Sequence, residues 1–173
     1  MASTSRLATF SPNEVAVIIT QQSSGMSHIL GGFAEDSIVS VDRNAETFSL
    51  YTGADDTNTR INKANTSGTI TISLQQTSAS NDILTALYEN DRASRNGLFS
   101  IAVRDNSGRS SYFAEEAYIG VVPSSAIANS MQTRDWVIHA PKMSSLIGGN
   151  GPISAEDAAS LDQLGVAVDT RWL

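Results

Sequence analysis

The chain has 173 residues, of which 40% are hydrophobic and 17% charged, and carries a formal net charge of −7. That length and apolar content suit one domain with a real core and exclude a chain too polar to fold. The acidic balance argues against gripping nucleic acid through phosphates, which needs clustered Lys and Arg, but allows a surface that DNA slides past. Cysteine is absent, which excludes disulfides, thiolate nucleophiles and cysteine metal sites. Met1 to Phe10 holds Arg6 but no apolar run, so no signal peptide is expected. No apolar stretch is long enough to span a bilayer, so no membrane anchor is expected and the protein should be made in a cytoplasm.

Ser11-Pro12-Asn13 reads as a turn, and Glu14 to Thr20 as a strand covered on both faces. Gln21 to Ile29 is polar and reads as a loop. Ser37 to Arg43 and Thr47 to Thr52 read as a hairpin turning at Asn44-Ala45, with Phe48 and Leu50 inward. Gly53 to Asn65 has almost no apolar anchor and reads as an exposed excursion. From Gly68, Ile70, Ile72 and Leu74 alternate with Thr69, Thr71 and Ser73, the pattern of a half-buried strand.

A helix is expected from about Asn81 to Arg92, with Ser80 as N-cap, Asp82 in the first turn and a stripe of Ile83, Leu84, Leu87 and Tyr88. Gly97 ends that segment. Leu98 to Arg104 and Ser110 to Ile119 read as a second hairpin around Asp105-Asn106-Ser107-Gly108, and Thr133 to Ala140 as the last strand of the body, with Trp136 and Ile138 on one face. After the glycine-rich linker Gly148 to Pro152, Ser154 and Asp157 form a capping box for a short helix to about Leu164, stopped by Gly165; Trp172 looks exposed. Four strands, a helix, three strands and a tail predict a mainly β fold, a β-sandwich or open barrel with one flanking α-helix, over 1–151, and a C-terminal extension with a short helix over 152–173.

Motifs for chemistry are sparse. There is no phosphate loop and no nucleophile elbow, and Gly149-Asn150-Gly151 lacks the preceding strand that a dinucleotide site needs. His28 lies near Ser24, Ser27 and Asp36 in sequence, but a triad is defined by geometry. His139 shares a strand face with Asp135 and Val137. Glu115 and Glu116 are neighbours on a strand and should point to opposite faces, while Tyr112 and Tyr118 should share one. Asp55, Asp56 and Asn58 miss the spacing of a calcium loop and read as solvated. Neither a cofactor nor a metal is expected.

Taken together, SPNEVAVIIT, DSIVSVDRNAETFSLYTGADD, SGTITISLQQTSASNDILTALYENDR, LFSIAVRDNSG and RDWVIHAPKMSSLIGGNG resemble the tail-tube proteins of contractile-tailed bacteriophages, from about Ser11 to Gly151. That family usually ends near IGGNG, whereas this chain continues to Leu173. The resemblance implies a non-enzymatic virion protein, related in shape to the tube protein of type VI secretion. It implies homohexameric rings stacked head to tail, assembled in the host cytoplasm inside a sheath. The partners implied are further copies of the chain, the sheath, baseplate and tail-terminator proteins, and phage DNA crossing the lumen without specific binding. On this reading Gly53, Asp55, Asp56, Asn58, Arg60 and Lys63 reach the next ring. Asp42, Glu46, Thr47, Ser49, Thr69, Thr71 and Ser73 line the lumen, and Leu161, Leu164 and Trp172 dock the tail on another subunit. The competing readings are a monomeric ligand- or carbohydrate-binding β-sandwich using Tyr51, Tyr112, Tyr118 or Trp136, and a hydrolase built on His28.

Overall fold

The structure, a computed structural model, describes residues 7–172; part of the stretch read for a leader, Met1 to Phe10, and Leu173 lie outside the described residues. After a 3-10 turn at Pro12–Glu14, strand β1 (Val15–Gln21) buries Val17 and Ile19. Its hairpin partner β2 (Met26–Ile29) pairs Ile18 with Ile29 and Gln21 with Met26. The sequence reading expected a loop there. β2 is short and lies at a sheet edge, with Ser27 and Ile29 exposed, so it needs no apolar alternation; polar side chains also blunt an exposed edge.

β3 (Val39–Arg43) does not form the expected hairpin with β4 (Phe48–Thr52). β3 pairs instead with β6 (Gly68–Gln75), setting Val41 against Ile70 and Val39 against Ile72. β4 pairs with β5 (Asn58–Asn62) in a separate two-stranded ribbon. Long-range pairing wins because β6 buries Ile70, Ile72 and Leu74 fully, whereas β4 has nothing to bury against. Phe48 and Leu50, expected inward, are exposed.

Helix α1 (Ser80–Ser94) buries Leu84 and Leu87, with Ile83 and Tyr88 packed beside them. Ser80 is not its N-cap. Ala79 holds that position, and the buried Ser80 hydroxyl accepts from the Gly31 N–H at 3.1 Å and lies 3.1 Å from His28 Nε2. The helix is thereby tied to the segment after β2. It ends at Arg95, whose φ of 56° is left-handed, and the Asp91 carboxylate accepts from the Gly97 N–H at 3.0 Å.

β7 (Phe99–Asp105), β8 (Ser111–Val121) and β9 (Thr133–Ala140) follow, and β10 (Ser144–Leu146) pairs with the start of β8. The antiparallel eight-stranded sheet runs β2-β1-β7-β8-β9-β6-β3, with β10 off the path beside β8. Strand β8 carries register shifts against both neighbours. Such bulges sharpen the local twist, so the two halves of the sheet meet in one core. Val17 and Ile101 from one half share it with Ile72 and Ile138 from the other, and α1 closes it. The fold is the expected mainly β sandwich or open barrel with one flanking helix. A second helix, α2 (Ala155–Gln163), lies in the extension.

Every strand direction sorts the connections between two ends. One end holds the β4–β5 ribbon, the β7–β8 turn and the extension. The other holds the β1–β2 turn and the β8–β9 connection.

Candidate assembly surfaces

The ribbon is the least anchored part of the molecule. Its base is tied by the Asn44 N–H to Ser67 O at 3.1 Å and the Lys63 N–H to Thr47 O at 2.8 Å. Phe48, Leu50, Tyr51 and Ile61 are all exposed along it, on both faces. Arg60 covers part of Phe48, its guanidinium 4.5 Å from the ring centre. At the tip, Gly53 N–H closes on Thr57 O at 2.8 Å, and Asp56 adopts a left-handed φ of 63°. Hydrogen bonds from the Thr57 hydroxyl and N–H hold the Asp55 carboxyl below its ordinary pKa. Asn58 is bonded to Thr52 and to Asp56 O. So Gly53, Asp55, Asp56 and Asn58 are gathered at one tip, with Arg60 on the return strand and Lys63 just past its end.

The residues expected to line a lumen divide into two groups. Asp42, Thr69 and Thr71 lie on the solvent face of β3 and β6, in register with one another and with His139 and Val137 of β9. Thr69 Oγ1 donates to Asn44 Oδ1 at 2.8 Å and sits 3.3 Å from His139 Nδ1. Ser73 shares that face but is buried; beside it the segment after β2 runs along the edge of β6, where Ala34 N–H donates to Ser73 O at 2.9 Å and Ser73 N–H to Ile38 O at 3.2 Å. Glu46, Thr47 and Ser49 belong to the ribbon and its base rather than to the sheet.

The extension folds back on its own subunit. Ser154 caps α2 by accepting from the Asp157 N–H at 3.1 Å, as the capping box predicts, while the Asp157 carboxylate accepts from the Ser154 hydroxyl at 2.7 Å and not from the Ser154 N–H. Gly165, at φ 76°, ends the turn after it. Trp172 is half-buried, not exposed: the Arg109 guanidinium lies 4.7 Å from its ring centre, and Arg109 also donates to Gly151 O at 2.7 Å. Asn150 donates to Asp105 at 2.7 Å. Burial pushes the Asp105 pKa up, but hydrogen bonds from Ser107, Asn150 and Gly108 outweigh it and hold the carboxyl below its usual range. Between the extension and the β7–β8 turn runs a groove of about 700 Å³ that includes Leu161, while Leu164 stays exposed.

Residues 7–148 match the family model for the Bacteriophage PhiTE tail tube protein. The chain belongs to that family. It is 51% identical over 170 residues to the structural protein ORF10 of Pseudomonas phage KPP10, covering 97% of this chain and 98% of the relative. That match takes in most of the extension, which the family model leaves out. Among solved structures, the tube-terminating cap of the anti-feeding prophage matches with a TM-score of 0.51 and 13% identity, over 84% of this chain and 95% of the other. The sheath-tube complex of an extracellular contractile injection system in its extended state matches with a TM-score of 0.51 and 11% identity, over 80% and 91%. At such identities the likeness shows the fold alone. The protein is a structural component of the phage tail tube, and its family is not a family of enzymes.

The chemistry weighed from sequence finds other partners in this tail-tube fold. His28 bonds to Ser80, while Ser24 donates to Gln21 at 2.7 Å and Ser27 meets Thr20 at 3.3 Å, so no triad forms among the described residues. Trp136 is 2% exposed and its indole N–H donates to Asn81 Oδ1 at 2.9 Å, which removes it from any ligand wall. A β8 bulge places Ala114 opposite Ile101 and Ala117 opposite Phe99. As a result Glu115 and Glu116 are both exposed rather than on opposite faces, and Tyr112 packs on the core while Tyr118 stays outside, 5.7 Å from the His139 ring. Plain alternation had missed both.

Proposed function

We propose that this chain is the subunit of a contractile-tail tube, built as homohexameric rings stacked head to tail, through whose lumen phage DNA passes on ejection. The ribbon carries the proposal. Two strands alone are marginal in water, and this pair exposes large apolar side chains on both faces with no core beneath them. Such an element completes its packing on another copy. The sheet's open edges, β2 and β3, support the same reading: joining sheets around a ring removes edges that would otherwise invite aggregation. Ribbon and edges are unlike surfaces, so contacts through them are heterologous and propagate.

Within that assembly Gly53 to Asn65 reaches the neighbouring ring, and Asp42, Thr69 and Thr71 face the lumen, where a polar and acidic wall lets DNA slide. Residues 152–173 form an appended unit whose Leu164 meets a neighbouring subunit. Sheath, baseplate and terminator proteins are the partners, and assembly takes place in the host cytoplasm. Negative-stain microscopy of the purified protein tests the proposal. Rings and tubes are expected, rings without tubes after removal of residues 54–64, and weakened stacking after truncation at Gly151. A protein that stays monomeric at every concentration and salt overturns it.

A further inference from the structure

Strand β1 carries apolar side chains on both faces. Val17 and Ile19 are fully buried in the core, while Ala16 and Ile18 turn outward and are half-buried. Register carries that outer face across four strands: Ile18 lies beside Ile29 of β2 and Ala102 of β7, and Ala102 lies beside Phe113 of β8. The result is an unbroken apolar row on the side of the sheet away from the core, with Ile29 64% exposed and Phe113 49% exposed. The hydroxyls of Thr20, Ser27 and Ser100 border it on one side. Charged groups stand only at its margins: Arg104 on the other side, and Glu115 and Glu116 past Phe113 at the β8 bulge. A half-solvated antiparallel strand alternates apolar with polar, whereas a strand apolar on both faces is one covered on both. Among the described residues the subunit supplies one of those two covers.

We propose that this row is the seat of the ribbon of a second copy, with Phe48 and Leu50 laid on it sheet against sheet. The ribbon exposes Leu50 by 72% and Phe48 by 48%, and it is itself a piece of sheet that lacks a second layer. Packed sheets sit about 10 Å apart with their side chains interdigitated. Ala102, small between Ile18 and Phe113, leaves a notch in the row that a projecting leucine can enter. In its own subunit the ribbon springs from Asn44 and Lys63 beside the β3 edge, whereas the row begins at the opposite edge, β2. A second copy brings the two together. Ribbon and row are unlike surfaces, so the contact is heterologous and leaves a ribbon and a row free to add further copies. Five-residue strands give the ribbon a face of roughly 17 by 10 Å, far below the ~800 Å² per partner of a stable pair. One such contact does not hold a dimer, so it forms where it is repeated around and along a tube. That seat rests on the head-to-tail reading above and gives the ribbon its place on the neighbour.

Filling the notch tests it. Ala102→Phe should raise the protein concentration needed for tubes by about tenfold or more, since overfilling a packed contact is unfavourable. Phe113→Ser should raise it by a similar factor through lost burial. A thermal melt of the dilute subunit checks that each variant folds. Tubes that form from both variants at the wild-type concentration overturn the seat. If Phe48→Ser with Leu50→Ser impairs assembly all the same, the ribbon packs elsewhere on a neighbour and the stacked tube stands. A second measurement needs no bulky residue. The chain has no cysteine, so Leu50→Cys with Ala102→Cys creates the sole thiols. Mild oxidation of preformed tubes should give a ladder of covalent multimers. Tubes that yield monomer alone, with the thiols free or joined within one chain, overturn a second copy as occupant. Wild-type protein that forms no tubes instead sinks the head-to-tail reading, and the seat with it.

Discussion

Replacing Phe48 and Leu50 with serine should leave the subunit's stability unchanged and impair its assembly. In the free subunit Leu50 is 72% exposed and Phe48 is 48% exposed. Removing side chains that water already reaches changes folding by about 0.5 kcal/mol or less. Full burial of such a side chain is worth about 1.5–3 kcal/mol, so covering the exposed shares of both on a neighbour contributes roughly 2–3 kcal/mol per contact. That corresponds to about a 30- to 150-fold rise in the concentration at which tubes appear. Pelleting or light scattering across a dilution series reads the assembly threshold, and a thermal melt of the dilute subunit reads folding. A melting temperature lowered by several degrees would show that the ribbon packs on its own body. An unchanged threshold would show that it packs on nothing, and either result refutes the reasoning.

Trp136→Ala should cost about 3–5 kcal/mol in urea unfolding, from the cavity it leaves and the unpaired Asn81 carbonyl. Gly120→Ala should cost about 1–3 kcal/mol, because a Cβ there would collide with the His139 imidazole; adding His139→Ala should restore most of it. Asp105 has a lowered folded pKa, so its contribution is full above the unfolded value of about 3.9 and is lost as pH falls through the folded value. Acid titration below about pH 4 should therefore destabilise the wild type more steeply than Asp105→Asn, and parallel curves would refute that assignment.

Where a strand buries one face, its place was plain from residue order. The alternation of Ile70, Ile72 and Leu74 with Thr69, Thr71 and Ser73 located β6, and Thr133 to Ala140 is β9 to the residue. The α1 stripe was legible because Leu84 and Leu87 repeat at helical spacing. What escaped was pairing that local pattern does not encode. The β3–β4 hairpin seemed natural because two apolar alternations stand either side of a short polar gap, yet both strands pair further along the chain. β5 carries Ile61 as its one apolar residue and needs no pattern, since neither of its faces meets the core. Ser80 looked like a cap, but its hydroxyl is held by a segment some fifty residues away. The assembly surfaces were partly visible: Asp55, Asp56 and Asn58 do share a tip, whereas Ser73 is buried and Trp172 stacks on Arg109.

The ribbon has a further consequence for how tubes begin. Its amides lie outside the cooperative unit formed by the sheet and α1, so opening it costs little, and in the lone subunit they should exchange with deuterium almost as fast as in a peptide. A first encounter between two free subunits must order two such segments before either gains a full seat, whereas a growing tube already presents the seat. The threshold for starting a tube is then higher than the threshold for lengthening one. A pool of subunits can stay dispersed until a template appears, and amide protection of residues 48–62 becomes a clock that records when each copy was added.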